Sequence, residues 1–117
     1  MEEMLSGLKR THMCGELTVE DIDQNVVLMG WVQRSRNLGG LIFVSLRDRS
    51  GIIQIVFDEN QCSEEVFNRA KSLRTEFVIA ITGRVALRSE EAINENMATG
   101  RIEVIGKDLH IFSRAET

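Results

Sequence analysis

The chain has 117 residues and a formal net charge of −4, with 43% hydrophobic and 27% charged residues, the balance of one globular domain. Its acidic excess argues against a protein that holds DNA mainly through bulk positive charge, and no apolar run is long enough to cross a bilayer. The opening MEEMLSGLKR lacks the basic-then-apolar layout of a secretory signal, so a cytoplasmic location is expected.

Residues 1–12 show weak periodicity and read as a loose lead-in. Within 18–22, Thr18 is placed to cap a short helical turn. Cys14 and Cys62 stand far apart, with no CxxC motif and no clustered histidines, which predicts free thiols, one or both buried, rather than a zinc site or a disulfide. A first strand is predicted over 26–36, rich in β-branched residues, with Gly30 marking a bulge or bend. Asn37-Leu38-Gly39-Gly40 then reads as a hairpin loop. Residues 41–48 alternate: Ile42, Val44 and Leu46 face one way, Phe43, Ser45 and Arg47 the other. After a turn at 49–51, a third strand over 52–57 points Ile53, Ile55 and Phe57 inward and Gln54 outward.

The period then changes. Ser63 caps a helical segment with Val66, Phe67, Ala70 and Leu73 on one face; Glu64 and Glu65 suit its positive end, and Glu65 can pair with Arg69 one turn on. Phe77, Ile79 and Ile81 resume the two-residue period in a strand running to about 88 and interrupted by Gly83. A polar loop follows over 89–100, and a last strand over 101–112 turns Ile102 and Val104 inward. Three meandering strands, one helix and two more strands predict an all-β domain with a single helix, an OB-fold: a five-stranded Greek-key barrel with the helix between strands three and four. The lead-in is assigned to 1–23, the barrel to 24–113, and the start of a linker to 114–117.

Four arginines, Arg34, Arg36, Arg47 and Arg49, face one acid, Asp48, between Gly30 and Gly51. OB-folds bind nucleic acid on the outer face of strands two and three, between the first and last inter-strand loops. That face would carry Phe43 and Gln54, flanked by Arg36 and Arg88, with Glu103 pointing outward from the last strand. A ring stacks on an unpaired base, an amide reads a base edge, a carboxylate accepts from an amino group, and arginines hold phosphates. Plainer readings stand beside these. Phe43 fits an outer apolar cluster with Val56 equally well, and Gln54 alone fits a solvated strand position. Arg47, Asp48 and Arg49 fit a turn whose charges pair with each other. Trp31 is expected in the core, His12 and His110 in structural roles, and Asn94 and Asn96 in turns.

Five stretches in order, RTHMCGEL (10–17), GWVQRSRNLGGLIFVSLRDRSGIIQIVFD (30–58), EFVIAITGRVALR (76–88), NENMATGRIEVI (94–105) and SRAET (113–117), resemble the N-terminal domain of bacterial-type aspartyl-tRNA synthetases. Lysyl and asparaginyl relatives share the barrel but not this run. The resemblance implies an anticodon-binding OB-fold whose partner is tRNA(Asp), with tRNA(Asn) as a second candidate and neither DNA nor membrane as a target. It implies that Phe43 stacks on the middle anticodon base, a uridine, that Gln54 bonds its edge, and that Glu103 lies near the third base. Arg36 would contact the anticodon loop, Arg88 would lie on the side of the first base, and Arg34 would meet the backbone. Asn37, Leu38 and Asn94 are further loop contacts on the same basis. Ser35 within the basic triplet, Ala92 and Val56 depart from familiar members.

By the same resemblance, catalysis belongs to a separate class II domain beginning shortly after Thr117, in a homodimeric full-length enzyme using aspartate, ATP and Mg²⁺. This chain is expected to have no catalytic residue, cofactor or metal of its own. A general single-strand binder, with little base preference, and a protein-interaction barrel are the rival readings.

Overall fold

The computed structural model describes residues 8–114; residues 1–7 of the lead-in and residues 115–117 of the linker lie outside the described residues. Five strands close a barrel in the order β1-β2-β3-β5-β4: β1 (Asn25–Leu38), β2 (Leu41–Asp48), β3 (Gly51–Asp58), β4 (Val78–Leu87) and β5 (Ile102–Ser113). The one α-helix among the described residues, α1 (Glu64–Lys71), lies between β3 and β4, as expected from the change of period. This is the OB-fold that the order of strand and helix signals predicts.

β1 serves two partners. Residues from Asn25 to Trp31 pair with β4, and those from Trp31 to Leu38 pair with β2. The exchange explains Gly30: a Cβ there would strike the carbonyl oxygen of Arg47. Gly83 sits at the register shift of the β4–β5 ladder, where a Cβ would meet the Ile105 carbonyl. All ladders are antiparallel except that between β3 and β5, whose register pairs are Ile55↔Val104 and Val56↔Ile105.

The alternation read from sequence sets the interior. Ile42, Val44 and Leu46 of β2 and Ile53, Ile55 and Phe57 of β3 are fully buried, joined by Ile79, Ile81, Ile102 and Val104. Helix α1 adds Val66, Phe67 and Ala70, with Leu73 just beyond it. Its Ser63 Oγ accepts from the Val66 N–H at 3.1 Å, and Glu64 and Glu65 oppose the positive end of the helix dipole. Arg69 meets Glu65 at 3.2 Å and donates to the Leu109 carbonyl at 2.6 Å, fastening the helix to β5.

Three features differ from the sequence reading. The described part of the lead-in is tied down. Thr11 donates its N–H to the Val27 carbonyl at 3.0 Å, and Cys14, in a one-turn 3-10 helix (Cys14–Glu16) that the sequence did not announce, is buried with Leu17 in the core. The expected turn does form at Val19–Asp21, capped by Thr18. Trp31 is half-buried and lies outside the core cluster, because the strand changes partner at that position. Asp48 is buried and accepts from the Cys14 N–H, the Ser50 N–H and the Ser50 hydroxyl, while Arg47 turns to Gln33, so Arg47 and Asp48 serve different partners.

Candidate nucleic-acid interface

The outer face of β2 and β3 floors an open concavity of about 360 Å³. Phe43 and Ser45 of β2 and Gln54 of β3 form the floor; Arg34, Arg36 and Leu38 rise along β1. The opposite wall comes from the loop after β4, through Arg88, Ala92, Asn94 and Met97. The concavity exists because β1 outruns its β4 partner: the free half of β1 alternates Arg34, Arg36 and Leu38 onto this flank. Ser35 and Asn37 fall on the other flank, in a separate groove with Lys71 and Arg74.

Phe43 is half-buried, opposite Val56 in the ladder, and the Arg36 guanidinium carbon lies 5.3 Å from its ring centroid. Val56 is 5% exposed, so the outer apolar pair and an accessible ring coexist: Val56 is covered, and the Phe43 ring remains part of the concavity. The cation over the ring holds both side chains toward the same space.

Gln54 donates its Nε2 to Glu103 Oε1 at 3.0 Å. The contact follows from the parallel seam, since Gln54 and Glu103 immediately precede the paired residues Ile55 and Val104. With that amide nitrogen engaged, the Gln54 Oε1 is left as an acceptor, complementary to a base edge that offers a ring N–H.

Arg88 is 6% exposed. Its Nε donates to the Ile102 carbonyl at 2.9 Å and its Nη1 to the Ala92 carbonyl at 3.2 Å. Burial pulls its pKa down from the ordinary arginine value, and the negative charge of Glu103 opposes that pull.

Of the residues singled out in sequence, Arg34, Arg36, Leu38, Phe43, Gln54, Arg88 and Asn94 share the concavity, and Glu103 joins it through Gln54. Asn37 does not. Ser45, Ala92 and Met97 also line it. Ser45 was signalled by its shared alternation with Phe43, whereas Met97 sits in a loop whose folding no periodicity announces.

Residues 26–112 match the tRNA anti-codon family, described as the OB-fold nucleic acid binding domain. Over its full length the chain is 56% identical to the aspartate–tRNA(Asp/Asn) ligase of Thermoanaerobacter sp. (strain X514) and covers 20% of that protein. It therefore spans about one-fifth of the length of the relatives it matches. Among solved structures, the asparaginyl-tRNA synthetase from Pyrococcus horikoshii complexed with asparaginyl-adenylate is 30% identical, with a TM-score of 0.76 over 92% of this chain and 23% of that one. The aspartyl-tRNA synthetase from Entamoeba histolytica, at 24% identity, shares the fold with a TM-score of 0.83 over 97% of this chain and 23% of that one. A closed five-stranded barrel, a phenyl ring beside an amide and an acid on its outer face, and a match that runs from β1 to β5 lead to one assignment: the chain belongs to the tRNA anticodon-binding family of OB-fold domains.

Proposed function

We propose that this chain is the N-terminal anticodon-binding domain of an aspartate–tRNA ligase, and that its concavity holds the anticodon loop of tRNA(Asp). Arg34 and Arg36 draw in the phosphate backbone and Phe43 stacks on the middle base. The Gln54 carbonyl then accepts that base's ring N–H. The observation that carries the reading is the Gln54–Glu103 hydrogen bond, because it engages the amide nitrogen of a residue that lines the concavity and leaves its carbonyl oxygen to accept. An acceptor at that place favours uridine, whose N3 carries a hydrogen, over cytidine, whose N3 is itself an acceptor.

The rest of such a ligase would perform the aminoacylation with aspartate, ATP and Mg²⁺, as a cytoplasmic homodimer. Among the described residues no group of three or more His, Cys, Asp or Glu side chains is placed to hold a metal ion. Relatives such as that of Thermoanaerobacter sp. (strain X514) are named for both tRNA(Asp) and tRNA(Asn), and tRNA(Asn) is the second candidate cargo.

The test compares this chain's affinity for the tRNA(Asp) anticodon stem-loop with that for a stem-loop carrying cytidine at the middle position. A loss of about tenfold or more is expected, from a mismatch worth about 1–3 kcal/mol. Equal affinities would remove base reading and leave a general single-strand binder.

A further inference from the structure

Arg88 stands where β4 ends and the loop over residues 89–101 begins, and its side chain reaches three parts of the neighbouring backbone and loop. Nε donates to the Ile102 carbonyl at the start of β5 (2.9 Å), and Nη1 to the Ala92 carbonyl on the outgoing arm (3.2 Å). Nη2 lies 4.0 Å from the Met97 sulfur near the loop tip. Its own N–H donates to the Arg101 carbonyl at 2.9 Å, closing the neck of the loop. Further ties hold the same loop: Asn94 N–H to the Gly100 carbonyl at 2.9 Å, and Thr99 Oγ1 to the Ile52 carbonyl of β3 at 2.6 Å. The guanidinium is thus wrapped by the loop that forms one wall of the concavity, in a residue that is 6% exposed.

We propose that Arg88 is a positioning residue. It builds the loop wall formed by Ala92, Asn94 and Met97, against which a nucleotide beside the middle base is selected, and it does so without touching the RNA. The inference rests on the anticodon reading for its RNA part, while its loop part stands independently. A loop ordered before binding does not have to be ordered by the ligand, so affinity is retained that a slack loop would lose. The guanidinium is suited to this because its rigid planar fork meets separate acceptors at once; a lysine ammonium carries the same charge on a flexible stem with different geometry. The negative charge of Glu103 opposes the effect of burial on the Arg88 guanidinium, and the same carboxylate accepts from Gln54 Nε2.

The test uses Arg88→Lys, which keeps the charge and most of the volume, and Arg88→Met, which removes the charge. Hydrogen exchange on the RNA-free protein follows the Asn94 and Gly100 amides, with the β2–β3 ladder as the internal measure of folding. Both variants are expected to speed loop exchange about tenfold or more while the ladder stays protected, as the loss of a charged group's hydrogen bonds implies. Affinity for the anticodon stem-loop should fall about tenfold in both. Discrimination against a substituted first anticodon base should collapse, discrimination at the middle base should persist, and the dependence of affinity on salt should be unchanged. Full rescue by lysine would overturn the proposal. A slope in log affinity against log salt shallower by about 0.7 in the methionine variant alone would do so too, since that is the signature of one lost phosphate contact. Unchanged loop exchange would end it equally. Should the methionine variant melt, the lysine variant carries the exchange and selectivity readouts. Failure of the wild type to bind the stem-loop would instead sink the anticodon reading, and loop exchange would still decide whether Arg88 organises the loop.

Discussion

The backbone N–H of Cys14 lies 2.8 Å from Oδ2 of Asp48, a contact between residues 34 positions apart that fastens the N-terminal segment across the turn joining β2 to β3. The other carboxylate oxygen takes the Ser50 N–H at 2.8 Å and the Ser50 hydroxyl at 2.6 Å, and that hydroxyl oxygen accepts from the Gly15 N–H at 2.7 Å. Burial alone would raise the Asp48 pKa, but these donors outweigh it and hold the carboxyl below the ordinary aspartate value.

A folded-state pKa below the unfolded one means that the unfolded chain takes up the proton more readily. The stabilisation from Asp48 is therefore complete above the unfolded value, near about 3.9, and is lost as pH falls through the folded value. Asp48→Ala should cost about 1–3 kcal/mol at pH 7 by stranding the buried Cys14 donor. Urea melts between pH 6 and pH 3 should show a flatter acid limb in the variant than in the wild type. Parallel curves would show that the carboxylate contributes nothing specific.

The two thiols should differ in reactivity. Burial, reinforced by the Asp48 charge, pushes the Cys14 thiol far up; burial and the Asp58 charge raise the half-buried Cys62, with Lys107 opposing. At pH 8 a disulfide reagent should label Cys62 more slowly than a free cysteine, and Cys14 only when denaturant opens the barrel. Peptide mapping of the labelled protein distinguishes the two, and rapid native labelling of Cys14 would contradict the buried clasp.

Glu76 holds a positive φ of 73° at the entry to β4, while its N–H donates to the Val32 carbonyl at 2.7 Å. The side chain is exposed, so the backbone conformation dominates the effect of a substitution there. Glu76→Gly should stabilise the fold by about 0.5–1 kcal/mol, and Glu76→Ala should not. Thermal melts of the pair measure the difference directly.

Phe43 and Phe57 should separate binding from folding. Phe57 is fully buried, and Phe57→Ala should cost about 3–5 kcal/mol of stability. Phe43 lies half-exposed in the concavity beneath Arg36, so Phe43→Ala should leave the barrel folded. Its affinity for the anticodon stem-loop should fall by about 1–3 kcal/mol. Circular dichroism and RNA titration on the same samples read both quantities. An unfolded Phe43→Ala would make the ring a structural member of the sheet.

The barrel was legible because alternation is a backbone property: Ile42, Val44, Leu46, Ile53, Ile55 and Phe57 are buried in the order their spacing dictates. The same alternation put Phe43 and Gln54 on one outer face, and the ladder confirmed their proximity through the adjoining register pairs Phe43↔Val56 and Ser45↔Gln54. Illegible were contacts that depend on distant chain meeting distant chain. Nothing in RTHMCGEL states that Cys14 will seat beneath Asp48, and Trp31 reads as core until β1 is seen to change partners beside it. Asn37 looked equivalent to its neighbours in the hairpin, yet a single step along a pleated strand sends it to the opposite flank.

The parallel junction of β3 and β5 has a consequence for the whole molecule. Two register pairs join those strands along the backbone, and beside them the Gln54 and Glu103 side chains clasp hands across the gap. Any nucleotide that settles on these two side chains would rivet the barrel along its least-stitched line, so that reading a base and resisting unravelling become one and the same act.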